Sequence, residues 1–236
     1  MIAQPAENLA LEVRGLEFRY RSGGGFALSL ANLAIRPGEQ VLLRGGSGTG
    51  KSTLLQVIAG LVDPSGGTVR VAGTDVHALR GAARDRFRGT HVGMIFQTFN
   101  LLQGFSALEN VLAALMFSEL PRNEHRQHAV SLLRTLNVPN PDSPVETMSV
   151  GQQQRVAVAR AVACRPTLVL ADEPTASLDP ENASAAIELI QTTCAQNGAA
   201  LLCTSHDPAM TSRFSSVESL GALGPAPDRG AVGAGA

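Results

Sequence analysis

The run Gly45-Gly46-Ser47-Gly48-Thr49-Gly50-Lys51-Ser52 has the spacing G-x-x-x-x-G-K-S, and its lysine is the only one in a chain that carries eighteen arginines. A run of this kind constrains the fold on both of its sides. Glycines let successive backbone N–H groups curl around an anion, which sits at the positive end of the helix that follows. The motif therefore needs a buried strand before it and a helix after it. At position 51 a compact ammonium on a flexible stem can reach a phosphate oxygen as a point charge, which the planar guanidinium used elsewhere does less well. On this reading Lys51 bridges the outer phosphates of a nucleotide and the Ser52 hydroxyl ligates Mg2+. The loop alone does not say which nucleotide is bound, and the shortage of lysine is otherwise a compositional bias.

The flanks meet that requirement. Residues 41–43, Val-Leu-Leu, read as a short buried strand, and 52–59 as a helix closed by Gly60. Upstream, short strand-like runs at 9–13, 18–20, 27–30 and 33–35 are separated by glycine-rich or polar breaks, with a turn at Arg36-Pro37-Gly38. This is the texture of an antiparallel subdomain. Two more buried strands are expected at 92–96 and 167–171. Between them, 108–117, 122–136 and 150–164 carry apolar residues at helical spacing, so 98–165 reads as a helical subdomain inserted in the sheet core. A helix at 180–196, a cap at Gly198 and a strand at 199–204 follow. Residues 214–220 give no clear final strand pair, which suggests an abbreviated last sheet. The expectation is an α/β domain over 1–220 with a mixed sheet core, and a disordered Gly/Ala/Pro tail over 221–236.

Composition removes other classes. A net charge of −1 gives no electrostatic case for binding nucleic acid. No stretch approaches the roughly 18–20 apolar residues of a membrane span, and the N-terminus lacks the pattern of a signal peptide. Cys164, Cys194 and Cys203 are far apart among apolar neighbours and read as buried free thiols of a reducing compartment. The expected location is cytoplasmic, with any action at a membrane passing through a partner.

Two further segments carry chemistry. Leu168-Val169-Leu170-Ala171-Asp172-Glu173-Pro174 runs an apolar strand into two carboxylates, at the strand end where open α/β sheets bind ligands. Asp172 suits the shell of a Mg2+ ion, and Glu173 suits polarising an attacking water as general base. Met148-Ser149-Val150-Gly151-Gln152-Gln153-Gln154-Arg155 opens a helix with Ser149 as N-cap and Gln152 completing a capping box. Such a helix start leaves N–H donors free for an anion.

With these three segments in this order the chain resembles an ATP-binding-cassette (ABC) ATPase over about residues 9–215. Gly45 to Ser52 matches the Walker A loop, with Thr53 following it in the ATP-binding set, and Leu168 to Glu173 matches the Walker B strand. Met148 to Gln152 matches the Leu-Ser-Gly-Gly-Gln signature, with Met148 in place of Leu and Val150 in place of the first Gly. Gln97 resembles the glutamine of the Q-loop that touches Mg2+ and links the sheet core to the helical insert. Ser177-Leu178-Asp179 resembles the D-loop, and His206 the switch histidine at the γ-phosphate. Tyr20 lies where the family stacks an aromatic ring on adenine, though an amphipathic strand residue could equally cap the sheet edge.

The resemblance implies a P-loop NTPase fold of ABC type that binds and hydrolyses Mg-ATP. It implies a head-to-tail dimer in which Ser149, Val150, Gly151, Gln152 and Asp179 of one copy complete the site of the other. The segment around 99–111 is similar to the subgroup serving lipoprotein-releasing, macrolide-export and cell-division-type permeases. The implied partner is then a separate integral-membrane permease of FtsX-like type, with this chain peripheral on the inner face of the membrane. A regulatory ABC module that signals without transport is the alternative reading.

Overall fold

Strand β1 (Leu11–Arg19) buries Leu11, Val13, Leu16 and Phe18 while Glu17 and Arg19 face out, so its alternation fits a sheet covered on one side. It pairs antiparallel with β2 (Ala27–Ile35) in unbroken register from Leu11↔Ile35 to Arg19↔Ala27. The sequence suggested four short strands here; the structure makes two long ones. Gly15 reads as a breaker but sits at a bulge, where the register on the other edge slips between Arg14 and Glu17. This computed structural model describes residues 9–19, 27–176 and 178–220. Tyr20, Ser177 and the tail from 221 lie outside the described residues.

Strand β3 (Gln40–Arg44) leads into the glycine loop, and helix α1 (Lys51–Ile58) leaves it. Strands β4 (Gly66–Val71) and β5 (Thr74–Asp75) then extend the antiparallel sheet to the order β2-β1-β4-β5. Helix α2 (Gly81–His91) precedes β6 (Val92–Ile95). The expected helical insertion follows as α3 (Ala107–Leu115), α4 (Arg122–Thr135) and α5 (Val150–Val162). After it come β7 (Leu168–Asp172), α6 (Pro180–Gln196), β8 (Ala200–Ser205) and β9 (Ser216–Ser219).

The α/β class, the antiparallel subdomain and the helical insert are as the sequence led one to expect. The second sheet runs β6-β7-β8-β3-β9, and each of its described pairs is parallel. Its alternating residues feed two cores. Val41, Leu43, Leu168, Leu170 and Leu202 pack with α1 and the antiparallel sheet. Leu42, Val169, Ala171, Leu201 and Cys203 pack with α5, α6 and the insert. A sheet buried on both faces explains the near-continuous apolar runs of β3, β7 and β8. The 216–219 segment, too short and polar to read as a strand, pairs with β3 in register Val41↔Ser216 to Arg44↔Ser219.

Side-chain size sets how closely the insert approaches the sheet. The buried face of α5 is made of Val156, Ala157, Val158, Ala159, Ala161 and Val162. Gly93 in β6 faces this helix, and a Cβ there would lie 2.2 Å from the Ala161 carbonyl oxygen. Backbone blocks backbone at that point, so Gly93→Ala must push α5 away from the sheet. A cost of about 2 kcal/mol is expected for such overpacking. Thermal unfolding should show a Tm roughly 4–8 °C lower for a chain of this size.

Candidate functional site

The glycine loop owes its shape to backbone geometry. Gly50, the residue before α1, has φ 93°, a left-handed conformation that a side chain would oppose, and it offers no capping group to the helix. The first turn of α1 also contains no acidic residue. A helix start without a side-chain cap or an acidic residue is suited to meeting an anion. Thr49 fixes the tip, its hydroxyl donating to the Gly46 carbonyl at 2.9 Å.

Lys51 is 6% exposed. Its Nζ donates to the carbonyls of Gly45 at 2.8 Å and Gly46 at 3.0 Å, and lies 3.2 Å from Glu173 Oε1. The other oxygen of Glu173, Oε2, lies 2.8 Å from His206 Nδ1. Lysine, glutamate and histidine therefore form one chain of contacts, from the loop through the end of β7 to the end of β8. A cleft of about 450 Å3 is lined by Ser47, Lys51, Ser52, Gln97, Glu173 and His206, with Gly48, Gly50, Thr53 and Ala176. That volume suits a compact polar ligand group.

Glu173 itself is held in the left-handed region, φ 46°. Such strain persists only where the surroundings impose it. Thr204, fully buried in β8, is one source. Its hydroxyl donates to Asp172 Oδ1 at 2.9 Å and accepts from the Glu173 backbone N–H at 3.1 Å. Asp172 is therefore turned towards Thr204 and is not among the lining residues of the cleft. The sequence singled out neither Thr204 nor the backbone of Glu173. A hydroxyl in the strand that pairs Asp172↔Thr204 was the available signal, but only the register reveals it.

The signature residues lie elsewhere. Ser149 Oγ accepts from Gln152 N at 3.3 Å, and Gln152 Oε1 accepts from Ser149 N at 2.9 Å, giving the expected capping box. Ser149, Gly151 and Gln152 line a second, open cavity of about 660 Å3 together with Arg134 and Arg155. It shares no lining residue with the cleft at Lys51. Val150 is 54% exposed. Asp179 caps α6, accepting from Asn182 N at 3.1 Å. Burial pushes the thiol of Cys164 up to about 11 and that of Cys194 to about 12, and pushes Cys203 up as well. All three cysteines stay protonated near neutral pH and are no candidates for thiolate chemistry.

Residues 28–176 match the family model of the ABC transporter. The chain belongs to the ABC transporter family. ABC ATPases elsewhere give the scale of the likeness. The chain is 41% identical over 209 residues to the lipoprotein-releasing system ATP-binding protein LolD of Granulibacter bethesdensis, covering 87% of this chain and 91% of that one. LolD of Chromohalobacter salexigens is 38% identical over 206 residues, covering 86% of each. Among solved structures, the dimeric ATP-binding cassette MJ0796 bound to ADP and Pi superposes with a TM-score of 0.75 at 29% identity, over 89% of this chain and 93% of that one. CbiO1 of Clostridium perfringens, part of the ABC transporter complex cbiONQ, gives 0.74 at 30% identity, over 85% and 80%.

As an ABC ATPase this chain binds and hydrolyses ATP, and the cleft at the carboxyl ends of β3, β7 and β8 is where an α/β sheet of this kind takes its ligand. Thr204→Val keeps the shape of the side chain but strands the Asp172 carboxylate and the Glu173 N–H. Losing those partners in a buried place should lower stability by about 2 kcal/mol. Thr204→Ser should recover most of it, and chemical denaturation of the three proteins measures the difference.

Proposed function

We propose that the chain is the ATPase subunit of a transporter, and that it drives a separate membrane permease by closing and reopening a dimer of two cassettes. The observation that carries this reading is the separation of two anion-ready surfaces. The Lys51 cleft holds the base and the cation, while the capped start of α5 opens into a different cavity. We read each surface as half of a triphosphate site. ATP bound at Lys51 of one copy and met by Ser149 and Gly151 of another would join them, with Val150, Gln152 and Asp179 at the same contact. Hydrolysis would remove the bridge.

Within one cleft the roles follow from placement. The loop from Gly45 to Ser52, continued by Thr53, would receive the phosphates on its N–H groups. Lys51 would exchange the carbonyls of Gly45 and Gly46 for phosphate oxygens, which releases Glu173 from its ion pair. Glu173 is then free to orient and deprotonate a water, and His206, already in contact with it, would face the γ-phosphate. Tyr20, outside the described residues, is the proposed adenine contact.

Ser52 and Gln97 offer neutral oxygen donors on the cleft wall, and Asp172 stands behind Glu173 in the next position. Among the described residues no cluster of three or more His, Cys, Asp or Glu side chains forms a cage. Hard oxygens that are few and incomplete suit Mg2+, which keeps waters and takes the rest of its shell from phosphates. When bound, the ion would neutralise charge on the β- and γ-oxygens. Ser52, Gln97 and Asp172, the last through water, are the residues proposed to hold it.

The transport role rests on the relatives, several of which are named lipoprotein-releasing system ATP-binding proteins. No helix among the described residues is long and apolar enough to cross a membrane. We propose a permease on a separate chain, of the lipoprotein-release or related FtsX-like type, that holds this one at the inner face. A groove of about 360 Å3 between the sheet core and the insert fits such a partner, with Leu61 and Phe117 close to half exposed on its wall. We read 1–220 as one ATPase domain, 98–165 as its inserted helical part, and 221–236 as a tail.

Lys51→Ala should raise the Kd for ATP about 10–100-fold, the loss expected for one charge-assisted hydrogen bond of roughly 1.5–3 kcal/mol. Titration with a fluorescent ATP analogue measures this, and an unchanged Kd would refute the role given to Lys51.

A further inference from the structure

Gln97 reaches the cleft from a segment whose backbone is out of the ordinary. Phe99 and Asn100 are consecutive residues, neither a glycine, in the left-handed region, with φ 59° and 45°. Asparagine visits that region readily, but phenylalanine does so seldom, and rarely without neighbouring structure that holds it there. Local hydrogen bonds contribute, from Phe99 N to Phe96 O at 3.0 Å and from Asn100 N to Thr98 O at 2.7 Å. The remaining hold comes from far along the chain. Arg160 Nη1 donates to the Asn100 carbonyl at 2.5 Å and Nη2 to the Phe99 carbonyl at 2.6 Å.

This use of a guanidinium is unusual in two respects. Its two donors engage neighbouring carbonyls, a task that the rigid fork performs and a single ammonium cannot. Partial burial also pulls the pKa of Arg160 down. A half-buried charge is thus committed to two backbone oxygens. Capping a loop would not require one, since a neutral amide could do it.

The position of Arg160 gives the contact its meaning. It lies on α5, the helix that starts at the signature, about 15 Å along the axis from Val150 at 1.5 Å per residue. It also lines the groove between core and insert, as do Phe96 and Asn100. One side chain therefore touches the signature helix, the groove and the segment carrying Gln97. We propose that Arg160 is a positioning residue that couples the signature helix to Gln97. When α5 shifts as its start engages a phosphate, or as a partner fills the groove, the clamp carries Phe99 and Asn100 with it and resets Gln97 in the cleft. The inference rests on Gln97 acting in the ATPase cleft.

The test is a double-mutant cycle on the full chain, with kcat and KM for ATP measured in each protein. Arg160→Met should lower kcat about tenfold and leave KM within about twofold, the signature of a contact that matters after ATP has bound. Arg160→Lys, able to reach one carbonyl, should fall between the two, and it carries the same comparison if Arg160→Met fails to fold. In a Gln97→Ala background the Arg160 substitution should cost less than about twofold more, because the group it positions is gone. Equal losses in both backgrounds would overturn the coupling while leaving the role of Gln97 intact. So would a raised KM at unchanged kcat, or no effect of either substitution. Wild-type kcat in Gln97→Ala alone would instead remove the reading of Gln97, and the coupling with it.

Discussion

The ammonium of Lys51 is the charge around which the site is organised. It is buried, so it must be paired and hydrogen bonded, and removing one partner of such a pair typically costs about 3–5 kcal/mol. Its partners are two loop carbonyls and one oxygen of Glu173, whose other oxygen meets His206. Those residues come from the ends of β3, β7 and β8, which the parallel sheet sets side by side. In this arrangement the cation is satisfied by groups that an incoming phosphate can replace. On the proposed reading Glu173 is the general base, held by the same ion pair until a phosphate takes its place.

From this follows a division of labour between the two halves of the fold. The sheet core supplies a cleft that holds Lys51, Glu173 and His206 at the ends of neighbouring strands. The insert supplies a second helix start, capped by Ser149 and Gln152 and open to solvent. Gln97 and Arg160 lie between them, one in the cleft and the other on the helix, joined through Phe99 and Asn100. The path from one half to the other is short, one guanidinium gripping two backbone carbonyls.

Much of this was legible in the residues. Gly45 to Ser52 demanded a strand and a helix, and the structure places β3 and α1 there. The capping box at Ser149 and the bounds of α6 were equally plain, because caps and helical periodicity are local signals. What could not be read is what depends on contact between distant segments. The β4–β5 pair and the short polar β9 are strands because of their neighbours, so their own residues carry little signal. Gly15 looked like a break because a bulge and a turn use the same residue type. The φ of Glu173, the turn of Asp172 towards Thr204 and the grip of Arg160 all arise from partners about thirty to sixty residues away.

The central claim is that one chain holds half of a composite site and that ATP joins two halves. It is tested most directly by the mass of Glu173→Gln in solution, measured by sedimentation with Mg-ATP and with Mg-ADP. The substitution should block hydrolysis while leaving the phosphate contacts in place. With Mg-ATP the protein should sediment at twice the mass of a single chain, and with Mg-ADP at the mass of one. A protein that binds ATP yet remains a single chain under both conditions would contradict the account.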